Sequence, residues 1–125
     1  MSLAYKRAQL KYQLSRERRQ NTKSGFLPVC DLCDKPITKY RPADMHEWLL
    51  KRSAVPKSKK KKIFDERNCS LLHHSCHMEF GQTTAMKERL APIFVSRYGK
   101  ESMLDFIDSL SLRSSREYVA LIESI

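Results

Sequence analysis

Apolar residues recur at helical spacing near both ends of the chain and lose that rhythm in the middle. Between residues 3 and 20, Leu3, Leu10 and Leu14, with Tyr5 and Tyr12, make a partial apolar stripe among basic side chains, and no Gly or Pro interrupts it. This predicts a basic helix. The stretch TKSGFLP (22–28) breaks it. Residues 28–68 show no sustained helical period and contain Pro36, Pro42 and Pro56, so short strands and loops are predicted there. KSKKKK (57–62) is expected to be an exposed loop, because five lysines so close together repel one another.

From Cys69 to Gly81 a short helix is predicted, ended by the glycine. Thr83 or Thr84 caps a further helix running to about Ala91, Pro92 starts another turn, and Gly99 stops it. Met103, Leu104, Ile107 and Leu110 then fall at helical spacing. After Ser114 or Ser115 as cap, so do Tyr118, Leu121, Ile122 and Ile125. Strands and loops in the centre with helices at both ends give the α+β class. Three segments are expected: a basic N-terminal helix (1–23), a central core (24–81) and a C-terminal helical scaffold (82–125).

A chain of 125 residues suits one domain or a small module with helical additions. At this size roughly two-thirds of the unfolded surface can be buried. No apolar run is long enough to span a bilayer. The N-terminus is basic without a continuous apolar segment, so a membrane association or secretory leader is not expected. A cytoplasmic location with reduced thiols follows as the expectation. The net charge of +10 is unevenly spread: residues 1–23 and 51–67 each carry +6, whereas 82–125 is neutral. Clustered positive charge favours a polyanion, most commonly nucleic acid.

Four cysteines in such a chain suggest metal ligands rather than disulfides. CDLC supplies Cys30 and Cys33, and HHSC supplies His73 and Cys76 at the same spacing. Two residues three apart on a tight turn can both face one tetrahedral ion, and thiolate with imidazole favours zinc. A structural Cys3His zinc site is therefore predicted. Cys69, seven residues before Cys76, does not form a knuckle.

His77 is left over, and between the two knuckles lie Asp44, His46 and Glu47, followed by Asn68. The order Cys-x-x-Cys, Asp-x-His-Glu, Asn, His-x-x-Cys-His resembles the HNH endonuclease family, in particular its zinc-stabilised, phage-associated branch. Asn68, Leu72, His73, Cys76 and His77 fit the family line N-x-x-x-L-C-x-x-C-H, with His73 in place of the first cysteine. The resemblance covers residues 28–81 and is more specific over 68–77 than over 44–47. It implies a ββα-metal finger, a metal-dependent DNA endonuclease activity, and catalytic residues His46, Glu47, Asn68 and His77. It also implies a second divalent metal (Mg, Mn, Ni or Zn) held among Asp44, His46 and His77, in a bacterial or phage-infected cell.

The departure is at 46–47, where the family's His-His is His46-Glu47. In one register His46 is the metal ligand and Glu47 the base. In the other His46 is the base, and Asp44 or Glu47 helps bind metal. Trp48 is expected to pack under the finger, and His74 has no assigned role. Lys51, Arg52, Lys57, Lys59, Lys60, Lys61 and Lys62 are the expected DNA contacts, gripping double-stranded DNA mainly through phosphates. Two other readings stand beside the nuclease: a non-catalytic zinc module that binds nucleic acid, and a structural component of a phage assembly with packaging proteins as partners.

Overall fold

A computed structural model describes residues 2–81 and 83–125; Met1 and Gln82, the first residues of two expected segments, lie outside the described residues. Among the described residues the fold is α+β, with five α-helices and two small antiparallel sheets. Helix α1 (Leu3–Glu17) is capped by Ser2, whose hydroxyl accepts from the Tyr5 N–H, and buries Leu10 and Leu14. The break expected at 22–28 is instead a hairpin of β1 (Arg19–Thr22) and β2 (Gly25–Pro28). Gly25, at φ +119°, lets the chain reverse tightly, and the Thr22 hydroxyl donates to the Gly25 carbonyl at 2.7 Å. The expected boundary between 23 and 24 therefore falls inside a turn.

Strand β3 (Ala43–Glu47) pairs antiparallel with β4 (Cys69–His73), matching Ala43 with His73 and Glu47 with Cys69. Helix α2 (His74–Phe80) follows β4 directly. The single helix expected over 69–81 is thus corrected: its first five residues are a strand, and only the remainder is helical. All five residues of β4 are buried, so the segment lacks the polar/apolar alternation that marks a half-exposed strand.

Between β3 and β4 the chain is folded, not loose. Two 3-10 turns, Arg52–Ala54 and Lys57–Lys59, lead to buried Ile63 and Phe64. The lysine stretch is accordingly a series of turns, with Lys59 and Lys60 half-buried and the Lys60 ammonium donating to the Arg52 carbonyl at 2.9 Å.

Helix α3 (Thr84–Tyr98) runs unbroken through Pro92, where the sequence predicts a break. Proline removes one ladder bond at a cost of about 3 kcal/mol. Pro92 lies on the exposed side, while Leu90, Ala91 and Phe94 bury the other side and hold the helix across it. Helices α4 (Lys100–Ser109) and α5 (Arg116–Glu123) complete the chain, with Met103, Phe106, Ile107 and Ile122 buried. Of the apolar face expected on α5, Ile125 is exposed.

One core joins all three expected segments: Leu14, Met45, Trp48, Leu71, Leu90, Phe94, Phe106 and Ile122 belong to it. Trp48 packs beneath β3 as expected, against Phe94 at 4.9 Å between ring centroids, with its indole N–H on the Arg67 carbonyl. No helix among the described residues is long and apolar enough to cross a membrane.

Candidate metal centre and adjoining histidine cluster

The first knuckle is a turn closed by its own backbone: the Asp34 N–H donates to the Cys30 carbonyl, and the Cys30 N–H to the Lys35 carbonyl. Asp34 takes φ +61° to close it. The turn docks along the edge of β4 not used by β3. There the Asp31 N–H donates to the Leu71 carbonyl, and the Asp31 carboxylate accepts from the Leu71 N–H and the Ser70 hydroxyl. This edge pairing carries Cys30 and Cys33 to the end of β4, where His73 stands, and one turn of α2 adds Cys76.

The four donor atoms of Cys30, Cys33, His73 and Cys76 lie within 4.8 Å of one another and can hold a metal ion such as zinc. His73 Nδ1 is 3.1 Å from Cys33 Sγ, while its Nε2 meets the Pro36 carbonyl at 2.9 Å. A carbonyl only accepts, so Nε2 carries the proton and the Nδ1 lone pair faces the thiols. Burial first, then the charge of Cys30, pushes the Cys76 thiol up to about 12. Burial also opposes ionisation of Cys33, but hydrogen bonds led by that of the Lys35 backbone outweigh it and hold that thiol below its ordinary value. Three thiols and an imidazole lone pair turned toward one point make a donor set that fits zinc.

Behind this end of the sheet, alternation along β3 sends Asp44 and His46 to one face and Met45 and Glu47 to the other. Helix α2 covers the first face. His46 is 3% exposed and lies against the His77 ring at 4.5 Å between centroids. Burial, then the neighbouring His77, pushes the His46 imidazole down to about 4, so it is neutral near pH 7. Asp44 Oδ2 accepts from both His77 Nδ1 (3.0 Å) and His74 Nδ1 (2.8 Å).

The structure therefore brings Asp44, His46 and His77 together and adds His74, to which the sequence assigns no role. The readable signal is its spacing: three residues before His77, it shares a helix face with it. Glu47 is not in this group; its carboxylate accepts from Arg52 Nε at 3.3 Å. Among the described residues, only the Cys3His set has three or more converging metal donors.

Asn68 is wholly buried and acts on the loop. Its Oδ1 accepts from the Leu50 N–H (2.8 Å), and its Nδ2 donates to the Leu50 carbonyl (2.8 Å) and the Ile63 carbonyl (3.0 Å). It thus ties both ends of the β3–β4 connection together and touches no histidine. Of the expected DNA contacts, Lys51, Arg52, Lys57, Lys61 and Lys62 are exposed.

The N-terminal helix is fastened to the same framework by an unforeseen residue. The Arg18 guanidinium, 8% exposed, donates to the Asp31 carboxylate, the Cys69 and Glu66 carbonyls and the Tyr98 hydroxyl. Compared with known proteins, the chain matches no family model, no curated protein and no solved structure.

Proposed function

We propose that this protein is a metal-dependent DNA endonuclease of HNH type, in which β3, β4 and α2 form the ββα finger. The observation that carries the reading is the packing of the His46 imidazole on His77, whose ring is held by Asp44, at the place the resemblance assigns to the reaction centre. Neutral at working pH, His46 has a lone pair to take a proton from an attacking water. Asn68 serves by fixing the loop that follows β3, a positioning role. A divalent ion held at the histidine cluster would neutralise charge on the scissile phosphate and the leaving oxygen. Lys51, Arg52 and the lysine turns supply the phosphate grip.

The test is supercoiled plasmid at low salt with Mg²⁺, Mn²⁺, Ni²⁺ or Zn²⁺, wild type beside His46→Ala, with EDTA as control. Cleavage by wild type should fall about a hundred- to ten-thousand-fold in the variant, with zinc content and DNA binding retained. No cleavage by wild type with any of these ions would refute the proposal. A second reading, a zinc-containing nucleic-acid-binding module without catalysis, is favoured by the burial of His46, since proton abstraction requires access to water. It expects DNA binding and no nicking in the same assay.

A further inference from the structure

Neither the metal centre nor the histidine cluster makes use of the β1–β2 hairpin. Its feet are fixed: buried Arg18 precedes β1, and β2 runs into buried Val29 and Cys30. Its tip is fixed too, because the Thr22 hydroxyl accepts from the Ser24 N–H at 3.2 Å as well as donating to the Gly25 carbonyl. Yet no residue of either strand is buried, and Phe26 is 59% exposed. A two-stranded ribbon without a core is marginal in water, so this one is held by its ends rather than by packing. The register sorts its side chains. Arg19 stands opposite Pro28 and Asn21 opposite Phe26 on one face, while Gln20 pairs with Leu27 and Thr22 with Gly25 on the other. The second face carries half-buried Thr22 and Leu27, and its Gln20 borders the clefts beside Arg18 and Arg97, so the first face is the outward one. There the Arg19 Nε donates to the Ser15 carbonyl at 3.2 Å, which steadies the guanidinium. Among the described residues, the two terminal nitrogens of Arg19 and the Asn21 side-chain amide have no partner. From Arg19 to Pro28 there is no acidic residue, and exposed Arg16, Arg19 and Lys23 outnumber Glu17 at the root.

We infer that the β1–β2 hairpin enters the major groove of duplex DNA and reads base edges through Arg19 and Asn21. The inference takes its partner from the reading above and adds what the lysine turns cannot supply, since phosphate contacts carry no base information. Four residues a strand make a ribbon about 13 Å long. The major groove is about 12 Å wide and about 8.5 Å deep and admits a two-stranded ribbon. Arginine offers the fork that matches guanine O6 and N7, and asparagine the donor and acceptor that match adenine N6 and N7. Phe26, across from Asn21, offers apolar contact to a thymine methyl. Lys23 at the tip and Arg16 at the root supply charge for the flanking phosphates. A single strand would instead call for a row of aromatic rings on which bases stack, and Phe26 is the only aromatic residue of the hairpin.

The test uses the full zinc-loaded chain and a pool of DNA duplexes with a randomised centre, selected by binding at moderate salt and sequenced. Wild type should enrich a short motif that includes a guanine and an adenine. Arg19→Ala should flatten the preference at the guanine and Asn21→Ala that at the adenine, each losing about 5- to 150-fold in discrimination. The loss should fall on the selected motif more than on unselected duplex, with zinc content and circular dichroism unchanged. Arg113→Ala, which removes an exposed arginine between α4 and α5, should keep the motif. A motif read identically by both hairpin variants would overturn the inference. So would the absence of any enriched motif with wild type, or tighter binding of a single-stranded pool than of duplex. Plasmid nicking is scored separately: nicking by wild type without a hairpin-dependent motif sinks the hairpin's role and leaves the nuclease standing. A motif read through Arg19 and Asn21 without nicking does the reverse.

Discussion

Asn68 gives the sharpest test of how the site is held. Replacing it with alanine removes three hydrogen bonds of 2.8–3.0 Å and leaves the Leu50 N–H, the Leu50 carbonyl and the Ile63 carbonyl without their partner in a region where Leu50 and Ile63 are fully buried. A buried polar group left unpaired costs about 1–3 kcal/mol. Three such groups at the low end of that range give about 3 kcal/mol, a large part of a stability of about 5–15 kcal/mol. With a urea dependence of about 1–3 kcal/mol per molar, the midpoint should fall by about 1–3 M. The protein has a built-in probe: Trp48 is the only tryptophan, is 1% exposed, and its backbone N–H donates to the Asn68 carbonyl. Its fluorescence and the far-ultraviolet circular dichroism should be followed together on zinc-loaded protein. Asn68→Asp is the companion, since it keeps the shape and the Leu50 acceptor but faces two carbonyls with an oxygen that donates only when protonated. Its folded pKa is raised above the unfolded value, so its stability deficit relative to wild type should widen as pH rises from acid toward neutral. An Asn68→Ala midpoint indistinguishable from wild type would refute the pinning argument.

Three further outcomes are expected. Cys33→Ser, or zinc removal by a strong chelator, should unfold the region around β4 by circular dichroism, because structural zinc supplies about 10–16 kcal/mol of apparent binding free energy in finger peptides; a folded, zinc-retaining variant would count against the ligand set. Arg18→Met should cost about 2–3 kcal/mol in urea unfolding, because it strips the Cys69 and Glu66 carbonyls of their donor at about 1 kcal/mol or more each, while the Asp31 carboxylate keeps Arg97 at 2.9 Å. Replacing Lys57, Lys61 and Lys62 with Gln should weaken DNA binding about equally at all sequences and flatten the salt dependence by about 0.9 for each phosphate no longer neutralised, measured by anisotropy over a range of salt; an unchanged slope would move the grip to the basic helix α1.

What can be read from the chain depends on whether the signal is local. The Cys3His set is legible because each knuckle is a three-residue spacing, and only the joining of the two needs the fold. Strand β4 is not legible, because Asn-Cys-Ser-Leu-Leu-His is buried on both faces and edges, and such a run has no period to separate it from a helix. The β1–β2 hairpin escapes for the opposite reason: its strands are largely exposed, and Phe26 with Leu27 is too short an apolar run to mark a strand. The unbroken course of α3 through Pro92 is tertiary packing overriding a local preference. The spacing of His74 from His77 is readable, but its role is not, because its partner, Asp44, is thirty residues away and meets it only through the β3–β4 register.

That register also explains why the two histidine-bearing sites are mechanically one. His73 ends β4 and faces the thiols, His74 begins α2 and faces Asp44, and Cys76 and His77 repeat the division one turn later. The direction of α2 relative to the sheet is set by Cys76 at the metal set, and the direction of β3 by its ladder to β4. Asn68 closes the remaining freedom by holding the connection between the strands at Leu50 and Ile63. A metal at the Cys3His set thus fixes the helix that carries His74 and His77, while the ladder fixes the strand that carries Asp44 and His46. Loss of a metal from the Cys3His set should scatter the second cluster even though no residue is shared.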